Sequence, residues 1–114
     1  MKNWEKQMPH DPQKYTYRIE WSDDDQLHIA RCLEFPSLAA HGASPEQALK
    51  EIEWVVAESI RWIEEEAGVV PEPLGTRHYP GNITLQVSPD VHRNLAILSA
   101  EQGVSIDQLL LSRL

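Results

Sequence analysis

Three residues at alternate positions late in the chain, Asn82, Thr84 and Gln86, set amide, hydroxyl and amide groups in a row. Such groups donate and accept hydrogen bonds without changing protonation state, so their chemistry is recognition rather than proton transfer. The residues that could move protons or hold a metal are less ordered in their spacing. His10, His28, His41, His78 and His92 show no metal-ligand interval and pair with no evident nucleophile. The single cysteine, Cys32, cannot close an intrachain disulfide and has no neighbouring Cys for a metal pair, so it is expected as a buried thiol. The expectation is a protein that is not an enzyme, with no catalytic residue, no metal and no cofactor.

The totals narrow the field further. With 114 residues, 41% of them hydrophobic and four Trp, the chain can build a modest core, either as one ordinary domain or as two very small ones. Its net charge of -8 is uneven: residues 1–80 carry 8 Lys/Arg against 15 Asp/Glu, and residues 81–114 carry 2 against 3. The acidic first part argues against a broad nucleic-acid surface there and is compatible with a basic protein partner. No apolar run approaches the roughly 20 residues needed to span a bilayer, and the first ten residues hold no secretion-signal core. A cytoplasmic protein without a membrane partner is expected.

These groups must be held by secondary structure. Residues 1–14 mix charges with two prolines and show no period, which reads as an N-terminal arm, with Trp4 and Met8 as docking points. From Tyr15 the pattern alternates, with Tyr15, Tyr17, Ile19 and Trp21 on one side and Thr16, Arg18 and Glu20 on the other, as in a half-buried strand. SDDDQ supplies turn chemistry and LHIARCLEF a second strand, making a hairpin. After Pro36, SLAAHGA suggests a third strand. Ser44 then caps a helix that opens with Pro45, and Gln47 completes a capping box. The helix is expected to reach about Ala67 and stop at Gly68, burying Leu49, Ile52, Val55, Val56, Ile60 and Ile63. Trp54 falls opposite that stripe beside Lys50, Glu58 and Arg61, and Trp62 falls at its edge. Cover by the N-terminal arm and a protein interface both account for Trp54.

VVPEPLGTRHYPGN, with three prolines and two glycines, marks a domain boundary near Gly75 to Gly81. Beyond it Ile83, Leu85 and Val87 alternate with Asn82, Thr84 and Gln86, as one strand with an apolar and a polar face. Ser88-Pro89-Asp90 starts a helix with Val91, Leu95, Leu98 and Ala96 inward, and Gly103 ends it. Ser105 and Gln108 form a second capping box, opening a helix from Ile106 to the end. Residues 82–114 are too few to bury an apolar face on every element, so a second copy must supply the missing half.

Two copies with these strands antiparallel satisfy the backbone edges, enclose Ile83, Leu85 and Val87 as a dimer core, and turn Asn82, Thr84 and Gln86 outward. This arrangement resembles the ribbon-helix-helix DNA-binding fold. The resemblance implies that the outward residues enter the major groove, where Asn and Gln can pair with adenine edges and Thr can bond or contact a thymine methyl. It also implies a phosphate on the backbone amides near Val104 and Ser105. Arg93, with Arg77 and His92, is the only positive charge nearby, so affinity per dimer is expected to be modest. A tail used only for dimerisation, with Asn82, Thr84 and Gln86 as polar filler, fits the same pattern.

The front part adds YTYRIEW, Phe35-Pro36, Gly42 before the cap, Glu46-Gln47-Ala48-Leu49 and Pro71-x-Pro73 after the helix. In that order these are similar to the HicB antitoxin family. The resemblance implies an α+β chain: arm 1–14, a degenerate RNase H-like β-β-β-α toxin-binding domain 15–74, a linker 75–81 and a ribbon-helix-helix domain 82–114. It implies an antitoxin that covers a HicA-like mRNA interferase toxin while its tail represses the shared operon at operator DNA, as a homodimer or a tetramer. The residues chosen to face the toxin are Asp23, Asp24, Asp25, Trp54 and Glu58, although a solvated turn explains the three acids equally well.

Two alternatives remain at the level of sequence. One is a dimeric repressor without a toxin, its front domain serving oligomerisation or ligand sensing. The other is a residual nuclease, disfavoured because Glu20 shares its strand face with Thr16 and Arg18 and because the helix acids avoid the buried stripe.

Overall fold

The computed structural model describes residues 10–114, and the architecture is α+β: a three-stranded antiparallel sheet followed by helices. The chain divides into two units between His78 and Tyr79. The proposed docking points Trp4 and Met8, and most of the arm to which they belong, lie outside the described residues.

In the first unit the strands are β1 (Tyr17–Ser22), β2 (Leu27–Cys32) and β3 (Phe35–Gly42), in the order β1-β2-β3. Cross-strand partners include Ile19 with Ala30 and Ala30 with Ala40, and the ladder between β2 and β3 shifts at Arg31/Cys32. The helix α1 (Pro45–Glu65) packs mainly on β3 and β2 and least on β1. Both faces of β2 carry apolar residues, and burial falls on the one with the smaller side chains. Ala30 and Cys32 are fully covered with Ile52, Val56 and Ile60, and Tyr15 and Phe35 close the end of the core with ring centroids 5.5 Å apart. Small residues under a helix let it approach the sheet closely.

Several boundaries differ from the sequence reading. Tyr15 precedes β1 rather than starting it: it is buried, and its hydroxyl donates to Pro71 O at 2.6 Å. Trp21 is half-exposed, set edge-on to His28 at the end of the sheet, whereas Tyr17 and Ile19 on the same face are partly buried against the core. β3 begins two residues earlier than expected and includes Pro36, which an edge strand tolerates because its N–H is not needed for the ladder. Residues Pro12–Lys14 form a 3-10 turn that packs on α1, and Tyr17 donates to Pro12 O at 2.6 Å. The end of the arm is therefore part of the first unit.

The helix cap holds with one change. Ser44 Oγ accepts from the Gln47 N–H at 3.1 Å, but Gln47 reaches back to the N–H of Ala43, one residue beyond the cap. At the other end the residue in the left-handed conformation is Ala67, φ 56°, rather than Gly68. The N–H of Gly68 reaches Ile63 O at 2.9 Å and that of Ala67 reaches Glu64 O at 3.1 Å, the pattern of a Schellman turn. Along the stripe Ile52, Val56 and Ile60 are buried as expected, Ala48 joins them, and Leu49, Val55 and Ile63 are partly covered.

A buried carboxylate absent from the sequence reading ties the first unit together. Glu34, between β2 and β3, accepts from the Thr16 N–H at 3.0 Å, the Thr16 hydroxyl at 3.0 Å and the Leu74 N–H at 2.8 Å. Burial alone pushes this carboxyl up, but the N–H groups of Leu74 and Thr16 outweigh it and hold it below the ordinary glutamate range. Cys32, expected as a buried thiol, is one: it donates to Glu34 at 3.5 Å, and burial pushes it up to about 11. One carboxylate thus joins the start of β1, the turn after β2 and the segment that leaves α1.

In the second unit α2 (Pro89–Gln102) and α3 (Ile106–Leu111) follow the caps at Ser88 and Ser105, and both hydrogen bonds of the Ser105/Gln108 box are present. Gly103 takes the left-handed position, φ 69°. α3 stops at Leu111 instead of running to the end. Residues 82–88 form no strand in this single chain, because a strand requires a ladder partner and none of the described residues provides one. Leu95 and Leu98 are partly buried, whereas Val91 and Ala96, expected inward, are exposed, and Leu109 is the apolar residue fully covered. A unit this short has too little chain to cover both sides of its helices.

Candidate functional site

The apolar members of the alternating segment converge although the segment is unpaired. Ile83, Leu85 and Val87 line one cleft of about 240 Å³ with His92 and Leu95 of α2 and Ile106, Asp107 and Leu110 of α3. They remain 85%, 65% and 47% exposed, so the cleft is open rather than filled. Asn82, Thr84 and Gln86 are exposed and take no part in its lining. The period of two separates the apolar residues, which line the cleft, from the hydrogen-bonding ones, which do not, although all six are exposed. Arg93 is exposed on α2, while His92, grouped with it as a source of positive charge, lines the cleft beside Asp107.

The amides chosen as a phosphate anchor are already engaged. The Val104 N–H donates to Ser99 O at 3.0 Å, closing the turn after α2, and the Ser105 N–H donates to Gln108 Oε1 at 3.0 Å within the capping box. The same turn chemistry that made this helix start legible engages these two donors. Val104 and Ser105 position α3.

In the first unit the candidate residues do not form one site. Asp23 accepts from the Trp21 indole N–H at 3.3 Å, and Asp25 accepts from the Ser22 hydroxyl at 2.9 Å, so two of the three hairpin acids build their own turn. Asp24 is exposed between them. Trp54 lies on the face of α1 turned away from the sheet, and Glu58 on the same helix pairs with Arg61 at 3.3 Å. Among the described residues no hydrogen bond or ion pair joins the hairpin acids to Trp54 or Glu58.

The exposed surface of α1 holds more than was singled out. Trp62 is 64% exposed, as much as Trp54 at 63%, and Glu51 and Glu65 fall between them on the helix wheel. The signal for Trp62 was its place at the edge of the stripe, which did not decide between burial and exposure. On the opposite flank His10 lies 3.1 Å from Glu72 and 3.8 Å from Glu64, fastening the segment after α1 to the one before β1. Among the described residues no group of three or more His, Cys, Asp or Glu is placed to hold a metal ion, and no helix is long and apolar enough to cross a membrane.

Comparison with known proteins adds one finding. The model of the HicB family matches residues 63–114, a little under half of the chain, from the end of α1 through the second unit. No curated protein and no solved structure matches the chain.

Proposed function

The model of the HicB family matches residues 63–114, and from that match we propose that this protein is the antitoxin of a HicA/HicB-type pair. The match points to a HicA-like toxin as its partner in general terms. On this reading the first unit, which resembles a degenerate RNase H-like domain, covers the toxin without catalysing a reaction. The second unit acts as a ribbon-helix-helix dimer that represses the operon.

The observation that carries the reading is the sorting of residues 82–87 by side. Ile83, Leu85 and Val87 line an open cleft with both tail helices, and Asn82, Thr84 and Gln86 face solvent. A second copy pairing along this segment would supply the missing ladder and fill the two clefts with each other's apolar residues. The outward amides and hydroxyl would then stand on a two-stranded ribbon, an element the major groove admits. Arg93 is the cation available to a phosphate; the amides of Val104 and Ser105 are not carried into the proposal. For the first unit, the charge of -7 on residues 1–80 suits a basic partner, with Trp54 and Glu58 on α1 and Asp24 at the hairpin as the contacts to test.

Thr84→Ala or Gln86→Ala should weaken binding to the operator by roughly 5- to 150-fold, the range for losing one good base contact, with the dimer intact. Titration of labelled operator at fixed salt measures this, and unchanged affinity in both variants removes the ribbon as reader. Co-purification with the product of a neighbouring small basic reading frame, followed by an RNase assay, tests the toxin half. A complex in which cleavage stops supports the antitoxin reading. Operator binding without any such complex favours a repressor whose first unit serves another purpose.

A further inference from the structure

The open face of the sheet differs in charge from the rest of the first unit. In the register of β1 and β2, Tyr17 stands opposite Cys32 and Ile19 opposite Ala30, and these four residues belong to the core under α1. Arg18 lies between Tyr17 and Ile19 and stands opposite Arg31, so the two arginines share the other face. Both are exposed, and so is Ala39, the small residue across from Arg31 on β3. Like charges directly opposite on neighbouring strands repel, because their Cβ atoms are only about 5 Å apart. Arg18 has Glu20 at 3.9 Å, whereas among the described residues Arg31 has no ion pair.

The acids of the unit lie elsewhere. α1 carries six Glu against Lys50 and Arg61, and it packs on the other side of the sheet. A helix is about 10–12 Å across, so its outward carboxylates stand farther from the arginines than the screening length of about 8 Å at physiological salt. The hairpin acids Asp23, Asp24 and Asp25 follow Ser22, the end of β1. Four residues of strand separate Ser22 from Arg18, roughly 13 Å at about 3.3 Å each. The first unit is thus two-sided, negative on its helix and locally positive where Arg31 and Arg18 meet on the sheet.

We propose that this sheet face contacts the phosphodiester backbone of the duplex DNA that flanks the operator, with Arg31 as the main contact and Arg18 beside it. This rests on the reading of the second unit as the operator-binding one. A polyanion diffusing up to the first unit meets the net charge of -7 on residues 1–80 and is repelled. DNA already held by the second unit does not have to diffuse in. The two units divide between His78 and Tyr79, so the chain itself keeps bound DNA near the first unit, at a local concentration on the order of millimolar. The carboxylates of α1 turn that helix away from the duplex and leave the sheet face toward it. A guanidinium can give a phosphate two parallel N–H bonds, and such contacts add affinity and orientation without reading sequence. They supplement Arg93, and they leave α1 with its exposed indoles to a basic protein partner.

Two labelled duplexes test the contact with the full-length protein, titrated at several salt concentrations. One is cut to the footprint of the double variant Arg18→Gln/Arg31→Gln. The other is the same duplex extended by one helical turn, about ten base pairs, of arbitrary sequence on each side. Wild type should bind the extended duplex several-fold more tightly, with a salt slope steeper by about 0.9 for each added phosphate contact. The double variant should bind both duplexes alike, and Arg31→Gln should lose most of the gain. Lys50→Gln, which removes the same charge from α1, should keep it. All three positions are exposed, so unchanged circular dichroism is expected throughout. Equal binding of the two duplexes by wild type overturns the proposal, as does a gain that survives in the double variant. An equal loss in Lys50→Gln also overturns it, since net charge rather than this face would then be the cause. Those outcomes leave operator binding by the second unit intact. A protein that binds neither duplex overturns that reading, and this proposal with it.

Discussion

At the scale of single residues, Glu34 shows how a charge can be structural. Its carboxylate is buried, yet it accepts from two residues distant in sequence, Thr16 and Leu74. Hydrogen bonds to a charged acceptor contribute about 1.5–3 kcal/mol each, and buried donors left unmet cost a comparable amount. Replacing the carboxylate by Glu34→Gln turns one acceptor into a donor and should destabilise the first unit by roughly 1–3 kcal/mol at pH 7. The pH dependence has a definite sign. Because the folded carboxyl lies below its ordinary value, its stabilisation is complete above the unfolded pKa of about 4.3 and is lost as pH falls from there through the lower folded value. Urea midpoints for wild type and Glu34→Gln should therefore draw together as pH falls below about 4.3, and a gap that stays constant as the pH is lowered would mean that the charge is not its source. Nothing in LEFP marks Glu34 as buried, because its partners come from residues 18 and 40 positions away. Cys32 was legible, since a lone cysteine in an alternating apolar segment has few other places to go.

At the scale of elements, the junction of β3 with α1 and the end of α1 carry opposite lessons. Gly42 is required where it stands: a Cβ there would lie 2.5 Å from the backbone N of Ala48 and 2.9 Å from the backbone C of Gln47. Backbone cannot yield as a side-chain tip does, so Gly42→Ala should cost at least about 1–3 kcal/mol, the range for an overpacked site. A lower thermal midpoint with the helix content retained at low temperature is the expected result. Ala67, by contrast, holds a left-handed conformation, φ 56°, which costs a residue with a Cβ roughly 1–2 kcal/mol. Ala67→Gly should recover part of this, a net gain of about 0.5–1 kcal/mol after glycine's extra unfolded-state entropy is subtracted. An unchanged or lower urea midpoint would contradict it. The caps at Ser44, Ser88 and Ser105 were visible in sequence because a cap is decided within four residues. Sequence places the end of α1 one residue later, since glycine is the residue that favours the left-handed position, whereas the Schellman hydrogen bonds put Ala67 there.

At the scale of the whole molecule, the two units differ in how completely they finish themselves. The first encloses a core of Ala30, Cys32, Ile52, Val56 and Ile60; the second leaves Ile83, Leu85, Val87, Val91 and Ile97 open to solvent. A charge placed in the proposed tail interface should act on the second unit alone, since an unpaired buried charge is tolerated only by opening the contact. Leu85→Asp is expected to abolish slow hydrogen exchange in residues 91–111 while leaving the amides of Ala30, Val56 and Ile60 protected. Unchanged protection in the tail would show that its helices are stable without a shared core.

The sequence by itself determined what depends on near neighbours: two small units joined through a proline-rich stretch, a hairpin and a capped amphipathic helix in the first, and a segment in the second whose odd and even residues differ in polarity. Periodicity and capping are written in windows of a few residues, so they can be read without the fold. Only the tertiary structure decided which face of β2 is buried, that Glu34 rather than a surface acid carries the internal hydrogen bonds, and that Trp62 stands exposed. Each of these turns on a partner far along the chain or on the competition of two apolar surfaces for one helix. Local composition carries no record of either.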